Sequence, residues 1–222
     1  MVMPFLTELY ISKRLAEAQK SPPAELSTSV ILSDETRPAA VLIPLFHANH
    51  EDEKKHIWQV LLTRRTHAVA EHQGQVAFPG GRAESADSSP ESTALREAHE
   101  EIGLDPSQVR ILGKMNRFQT ITNYCVTPVI GVIPWPFPIR LEEIEVSRVF
   151  SIPLDWLADP DHHEIRDHPV PLAYSKLLPR ETHPGIYFQR YQNELLWGVS
   201  AQIMLNFINI LADKKVQNKA GD

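Results

Sequence analysis

Cysteine is almost missing from this chain. One thiol, Cys125, in 222 residues excludes an internal disulfide and fits a reducing compartment, so a cytoplasmic location is expected. Positive charge is also short: 22 Lys and Arg against 28 Asp and Glu leave a net charge of −6. That balance argues against a nucleic-acid footprint, and any polyanionic ligand must be met by local cations. No apolar run approaches the roughly 18 residues of a membrane span. The first residues lack a secretory pattern, the last three carry no retention or peroxisomal tripeptide, and no internal repeat is visible. Hydrophobic residues at 42% and charged residues at 23% suit one globular domain.

What the chain does have is concentrated between Gly80 and Leu104. Glu97, Glu100 and Glu101 are spaced i, i+3 and i+4. At roughly 100° per residue they fan over one side of a helix, while Leu95, Ala98 and Ile102 form a separate apolar stripe. Like charges at this spacing weaken a helix by about 0.2–0.5 kcal/mol per pair, so a neutralising partner is expected. A divalent cation with a preference for oxygen is the natural one. The helix start is marked by Ser88 or Ser89 with Pro90 behind it and a capping box from Ser88 to Glu91. Its stop is Gly103, suited to a left-handed position. Arg96 can pair with Glu100 one turn on. Ahead of the helix, Phe78-Pro79-Gly80-Gly81 ends an apolar run in a glycine pair where backbone can approach a ligand.

These residues resemble a Nudix box, G-x5-E-x7-R-E-U-x-E-E-x-G-U with U aliphatic. Arg96, Glu97, Ala98, Glu100, Glu101, Gly103 and Leu104 fill its second half. In the first half the spacing back to Gly81 is one residue longer, and Asp87 or Ser88 stands at the first acidic position. Leu61-Leu62-Thr63-Arg64-Arg65-Thr66, leading through Gly74 to Phe78–Gly81, is similar to the signature of the coenzyme A diphosphatase branch. That branch accommodates the same insertion. Thr66 stands where the signature has Ser or Ala, and Ala70 where it has Arg. The resemblance implies an α/β/α sandwich around a mixed sheet, a Mg²⁺ or Mn²⁺ requirement, and hydrolysis of a pyrophosphate bond in a nucleoside diphosphate derivative. Coenzyme A or acyl-CoA is the favoured substrate, NADH or ADP-ribose the alternative, and a non-catalytic nucleotide-binding module the rival from another class. The metal set is Glu97, Glu100 and Glu101. A glutamate inside or outside the box serves as general base, with Glu145 the outside candidate because related sequences place Glu-Val before a Phe-x-x-Pro-Leu run. Arg65, Gly80 and Gly81 are the expected substrate contacts, although Arg65 serves equally well as an ion-pair partner of a box glutamate. A homodimer is compatible with the fold.

The layout reads as α+β. Residues 1–35 form an N-terminal helical extension, with helical spacing over 5–20 ended by Pro22-Pro23. Residues 36–212 form the main domain and 213–222 a frayed tail. Strands at 37–46 and 57–63 make a hairpin, a short strand leads into Phe78, and further strands lie near 109–117 and 124–133. Ten of the 18 prolines fall between Pro128 and Pro184, predicting a loop-rich region. A hairpin at 187–197 and an amphipathic helix at 200–212 follow. The polar 159–167 stretch, with His162, His163 and His168 around it, reads as exposed loop rather than a metal cluster. His72 reads as a polar turn residue, and Trp135, Phe137, Trp156 and Trp197 as core. Cys125 has no local His partner and reads as a strand residue.

Overall fold

The computed structural model describes residues 6–20, 36–48, 57–66, 73–120, 123–169 and 182–212. Among them a mixed sheet runs through the centre. Its strands are β1 (Arg37–Ala48), β2 (Ile57–Arg65), β3 (Val76–Ala77), β4 (Gly80–Arg82), β5 (Arg110–Lys114), β6 (Phe118–Gln119), β7 (Tyr124–Val132) and β8 (Val146–Pro153). Along one edge β1 pairs parallel with β7 from Arg37↔Tyr124 to Leu45↔Val132. Along the other edge it pairs antiparallel with β4 and then with β2. Beyond β2 lie β3 and β8, and β5 and β6 pair with β7.

Side-chain alternation along the strands sorts two cores. Leu42 and Phe46 of β1, Leu61 of β2 and Val129 of β7 face α2 (Pro90–Ile102). Ile43, Leu45, Leu62 and Ile130 face the opposite layer. That layer holds α1 (Glu8–Gln19), the short α3 (Leu154–Leu157) and α4 (Gly198–Leu211). Helices on both faces of a mixed sheet make the α/β/α sandwich that the resemblance implied. Helix α1 belongs to this core: Ile11 and Leu15 are fully buried, and Tyr10 and Arg14 donate to the Leu211 and Ile210 carbonyls at the end of α4.

Four local expectations need correction. The capping box of α2 joins Ser89 and Ser92, each side chain accepting the other's backbone N–H, so the cap sits one residue later than Ser88–Glu91. The polar stretch after Asp159 forms a short 3₁₀ turn, Pro160–His162, and then β9 (His163–Pro169), which pairs antiparallel with β10 (Thr182–Phe188). Its charged side chains are exposed, and backbone pairing rather than burial makes it a strand. The expected hairpin at 187–197 is not a continuous ladder: Tyr187 and Phe188 end β10, and the return segment pairs back through the isolated antiparallel bridges Tyr187↔Trp197 and Tyr191↔Glu194. Among the tryptophans, Trp135 stacks on Phe46 from the surface rather than within the core. His72 and Ala70 lie outside the described residues.

Candidate active site

Helix α2 approaches the sheet through small side chains, since Ala94 and Ala98 are fully buried against it. This close seat sets the depth of its acids. Glu100 is 56% exposed, Glu97 16%, and Glu101 only 4%. Gly81 of β4 lies under Glu97: a Cβ there would sit 2.6 Å from its carboxylate. Gly80 is equally constrained, because a Cβ would meet the Ala40 carbonyl at 2.5 Å. The glycine pair therefore lets β4 lie against β1 and leaves room for an acid beside it.

The end of α2 carries a second set of acids. Gly103 closes the helix with φ of 74°, and Arg140 and Glu142 donate backbone N–H bonds to the Ile102 and Glu101 carbonyls, each at 3.0 Å. These bonds satisfy carbonyls the helix leaves open and fold the 140–145 loop back over α2. The loop is also tied to the end of β2. Thr66 donates its backbone N–H to the Glu145 carbonyl at 2.8 Å and its hydroxyl to the Ile144 carbonyl. Glu97, Glu100, Glu101, Glu142, Ile144 and Glu145 consequently line one cleft of about 460 Å³. Glu142 was not anticipated; its spacing of three from Glu145 across a turn is the signal that would have found it.

Two arginines organise these acids. Leu61, Thr63 and Arg65 share the α2 side of β2, so Arg65 reaches the cleft while Arg64 points to the opposite layer. The guanidinium of Arg65 lies 3.6 Å from both Glu101 and Glu145. Arg64 instead pairs with the buried Glu194, which also holds Arg148. Arg96 pairs with Glu97 at 2.9 Å and Glu100 at 3.1 Å. It is anchored from behind by a two-pronged contact with Asp87, at 3.2 and 3.1 Å, and by the Arg82 carbonyl. Of the two residues open at the first acidic position of the box, Asp87 is the one in contact with Arg96.

The electrostatics differ from acid to acid. The hydrogen bond from Arg96, then the Glu84 backbone N–H, holds the Asp87 carboxyl down at about 2. Burial pushes Glu101 up to about 8; Arg65 opposes this, and the neighbouring Glu97 and Glu145 add to it. Burial also raises Glu97, against the pull of Arg96. Among the described residues, the Glu101 Oε2 atom is buried without a hydrogen-bond partner, and no three acidic, histidine or cysteine side chains converge on one point; Arg96 bridges Glu97 and Glu100, and Arg65 bridges Glu101 and Glu145. An all-oxygen donor set with an unpartnered buried carboxylate oxygen fits a hard divalent cation such as Mg²⁺ or Mn²⁺.

Comparison with known proteins agrees with this geometry. The family model for the NUDIX domain matches residues 36–173. An uncharacterized Nudix hydrolase, NudL, of Escherichia coli strain K12 is 37% identical over 168 residues, 76% of this chain and 79% of its own. The NudL of Photorhabdus laumondii is 36% identical over 174 residues, covering 78% and 84%. Among solved structures, a MutT/nudix family protein from Enterococcus faecalis aligns over 95% of this chain and 76% of its own, with a TM-score of 0.51 and 16% identity, a likeness of fold. This chain belongs to the Nudix family and is a hydrolase of pyrophosphate bonds, in a family whose members generally use divalent metal ions.

Proposed function

We propose that this hydrolase cleaves the pyrophosphate of coenzyme A and its thioesters, giving 3′-phosphoadenosine 5′-phosphate and 4′-phosphopantetheine or its acylated form. The observation that carries the reading is the cleft itself, lined by Glu97, Glu100, Glu101 and Glu145, with Arg65 set against Glu101 and Glu145. Glu97, Glu100 and Glu101 would hold Mg²⁺ or Mn²⁺, which supplies charge neutralisation for the phosphates and acidifies water. The protein's own groups do the rest. Arg65 offers a guanidinium to a phosphate oxygen, where negative charge grows as water attacks phosphorus and the anhydride bond breaks. A cleft glutamate takes the proton of that water. Glu101 and Glu145 are the two candidates beside Arg65. Arg96, anchored on Asp87, fixes the rotamers of Glu97 and Glu100.

Support for coenzyme A comes from the likeness of Leu61–Gly81 to the diphosphatase signature. Its departure at Thr66 is accommodated, because the hydroxyl is used to tie the Ile144 carbonyl. Ala70, where that signature has Arg, favours the second reading, a hydrolase of NADH or ADP-ribose. A non-catalytic binding module has no need to keep three repelling acids together. The test is incubation with Mg²⁺ or Mn²⁺ and a panel of coenzyme A, acetyl-CoA, NADH, ADP-ribose and diadenosine polyphosphates, with products weighed by mass spectrometry. Release of 4′-phosphopantetheine with a preference for coenzyme A is the expected result. Cleavage confined to NADH or ADP-ribose would discard the substrate while keeping the chemistry.

A further inference from the structure

The second, two-stranded sheet plays no part in the cleft, and among the described residues one of its edges is unpaired. β9 pairs with β10 on one side, and among the described residues no strand pairs with its other edge. Glu164, Ile165, Arg166 and Asp167 are exposed, Ile165 at 66%. An edge of this kind presents a row of backbone donors and acceptors that another strand can take up. Charged side chains often protect such edges, but they do so by repelling an incoming copy. Here the order of charges does the reverse.

The strand reads His163-Glu164-Ile165-Arg166-Asp167. Laid antiparallel against a second copy with Ile165 opposite Ile165, it sets Glu164 opposite Arg166 twice and His163 opposite Asp167 twice. Each charged residue then meets one of opposite or complementary character, and opposite-charge cross-strand pairs stabilise a ladder. The two signs come from one side of the strand, where Arg166 lies 5.2 Å over the Tyr187 ring and pairs with Glu164. On the other side Ile165 stands across from Ile186, which is buried, so a facing Ile165 would lengthen an existing apolar strip. A contact in which residue i meets j and j meets i is what a two-fold axis requires.

We infer that β9 is the contact edge of a homodimer, with two copies joined into a four-stranded sheet ordered β10-β9-β9-β10 about an axis at Ile165. The occupant is a second copy of this chain, because the strand laid antiparallel on itself supplies the reversed charge order that satisfies both pairs. The inference is independent of the substrate reading.

Sedimentation velocity on the full chain, from about 1 to about 200 µM where small interfaces associate, tests it with charge reversals. Wild type dimerises as concentration rises. Glu164→Arg alone and Arg166→Glu alone each set like charges opposite one another and sediment as monomers. An equimolar mixture of the two forms a heterodimer, since every opposed pair is again attractive. The double reversal restores the homodimer and, because it also restores the pair within the chain, serves as the control for folding. A wild type that stays monomeric overturns the inference. So does a dimer unchanged by the single reversals, or a mixture that fails to associate.

Discussion

Glu101 carries the most consequential balance at the scale of single residues. Its folded pKa of about 8 exceeds the ordinary value near 4.5, so without a bound cation the folded state holds a proton that the unfolded chain releases between those limits. Stability contributed by this group is full below pH 4.5 and declines as pH rises toward 8. In chelator, melting temperature should therefore fall across that window in wild type and change less in Glu101→Gln, as a pH series of thermal melts would show. The same substitution should lower turnover by about 10²–10⁴-fold, the usual share of a positioned acid–base or ligand group. Asp87 has the opposite sign. Its pKa is held near 2 against an ordinary 3.8, so its contribution is full above 3.8 and disappears as pH falls through 2. Asp87→Asn weakens a charge-assisted contact with Arg96 and should cost about 1.5–3 kcal/mol by denaturant unfolding. Turnover should fall with it, since Arg96 would lose the anchor that orients Glu97 and Glu100.

Among the elements, α2 and β4 act as a pair. Gly81 has no side chain because the Glu97 carboxylate occupies the place of one. Gly81→Ala should consequently displace Glu97 and reduce turnover strongly while leaving the melting temperature nearly unchanged, since the displaced group is a partly exposed side-chain end. Ser89→Ala removes the cap instead and should cost about 0.5–2 kcal/mol with turnover per folded molecule preserved; comparing kinetics with melting separates the two cases. The helix and its three acids were legible in the sequence because their spacing, cap and glycine stop are local. The cap was open between Ser88 and Ser89, and only the capping box was placed one residue early, because the two serines are chemically equivalent neighbours and the backbone turn chooses between them. β9 was not legible. Exposed on both faces, its side chains carry no alternation to read, and its strand character comes from pairing with β10.

For the whole molecule, the sandwich brings together residues distant in sequence: the Glu97–Glu101 turn of α2, Arg65 at the end of β2, and the 140–145 loop. The box motif made the first legible, and the resemblance pointed to Arg65 and Glu145. The place of Glu142 in the cleft and the tie from Thr66 to the loop depend on tertiary packing, and only the spacing of Glu142 from Glu145 hints at the first. The two arginines paired with these acids only partly neutralise the cleft, so a divalent cation should bind the folded state in preference to the unfolded one. Mn²⁺ at about 100 times its dissociation constant adds about 2.7 kcal/mol, and the gain in melting temperature should be largest near pH 8 and much reduced in Glu101→Gln. The central claim is hydrolysis of a nucleotide pyrophosphate by the acids of this cleft. The most direct measurement is the rate of 4′-phosphopantetheine release from coenzyme A by wild type and Glu101→Gln at matched, saturating Mn²⁺. Steady release by wild type with a loss of at least about a hundredfold in the variant is the predicted result, and equal rates in the two proteins would contradict it.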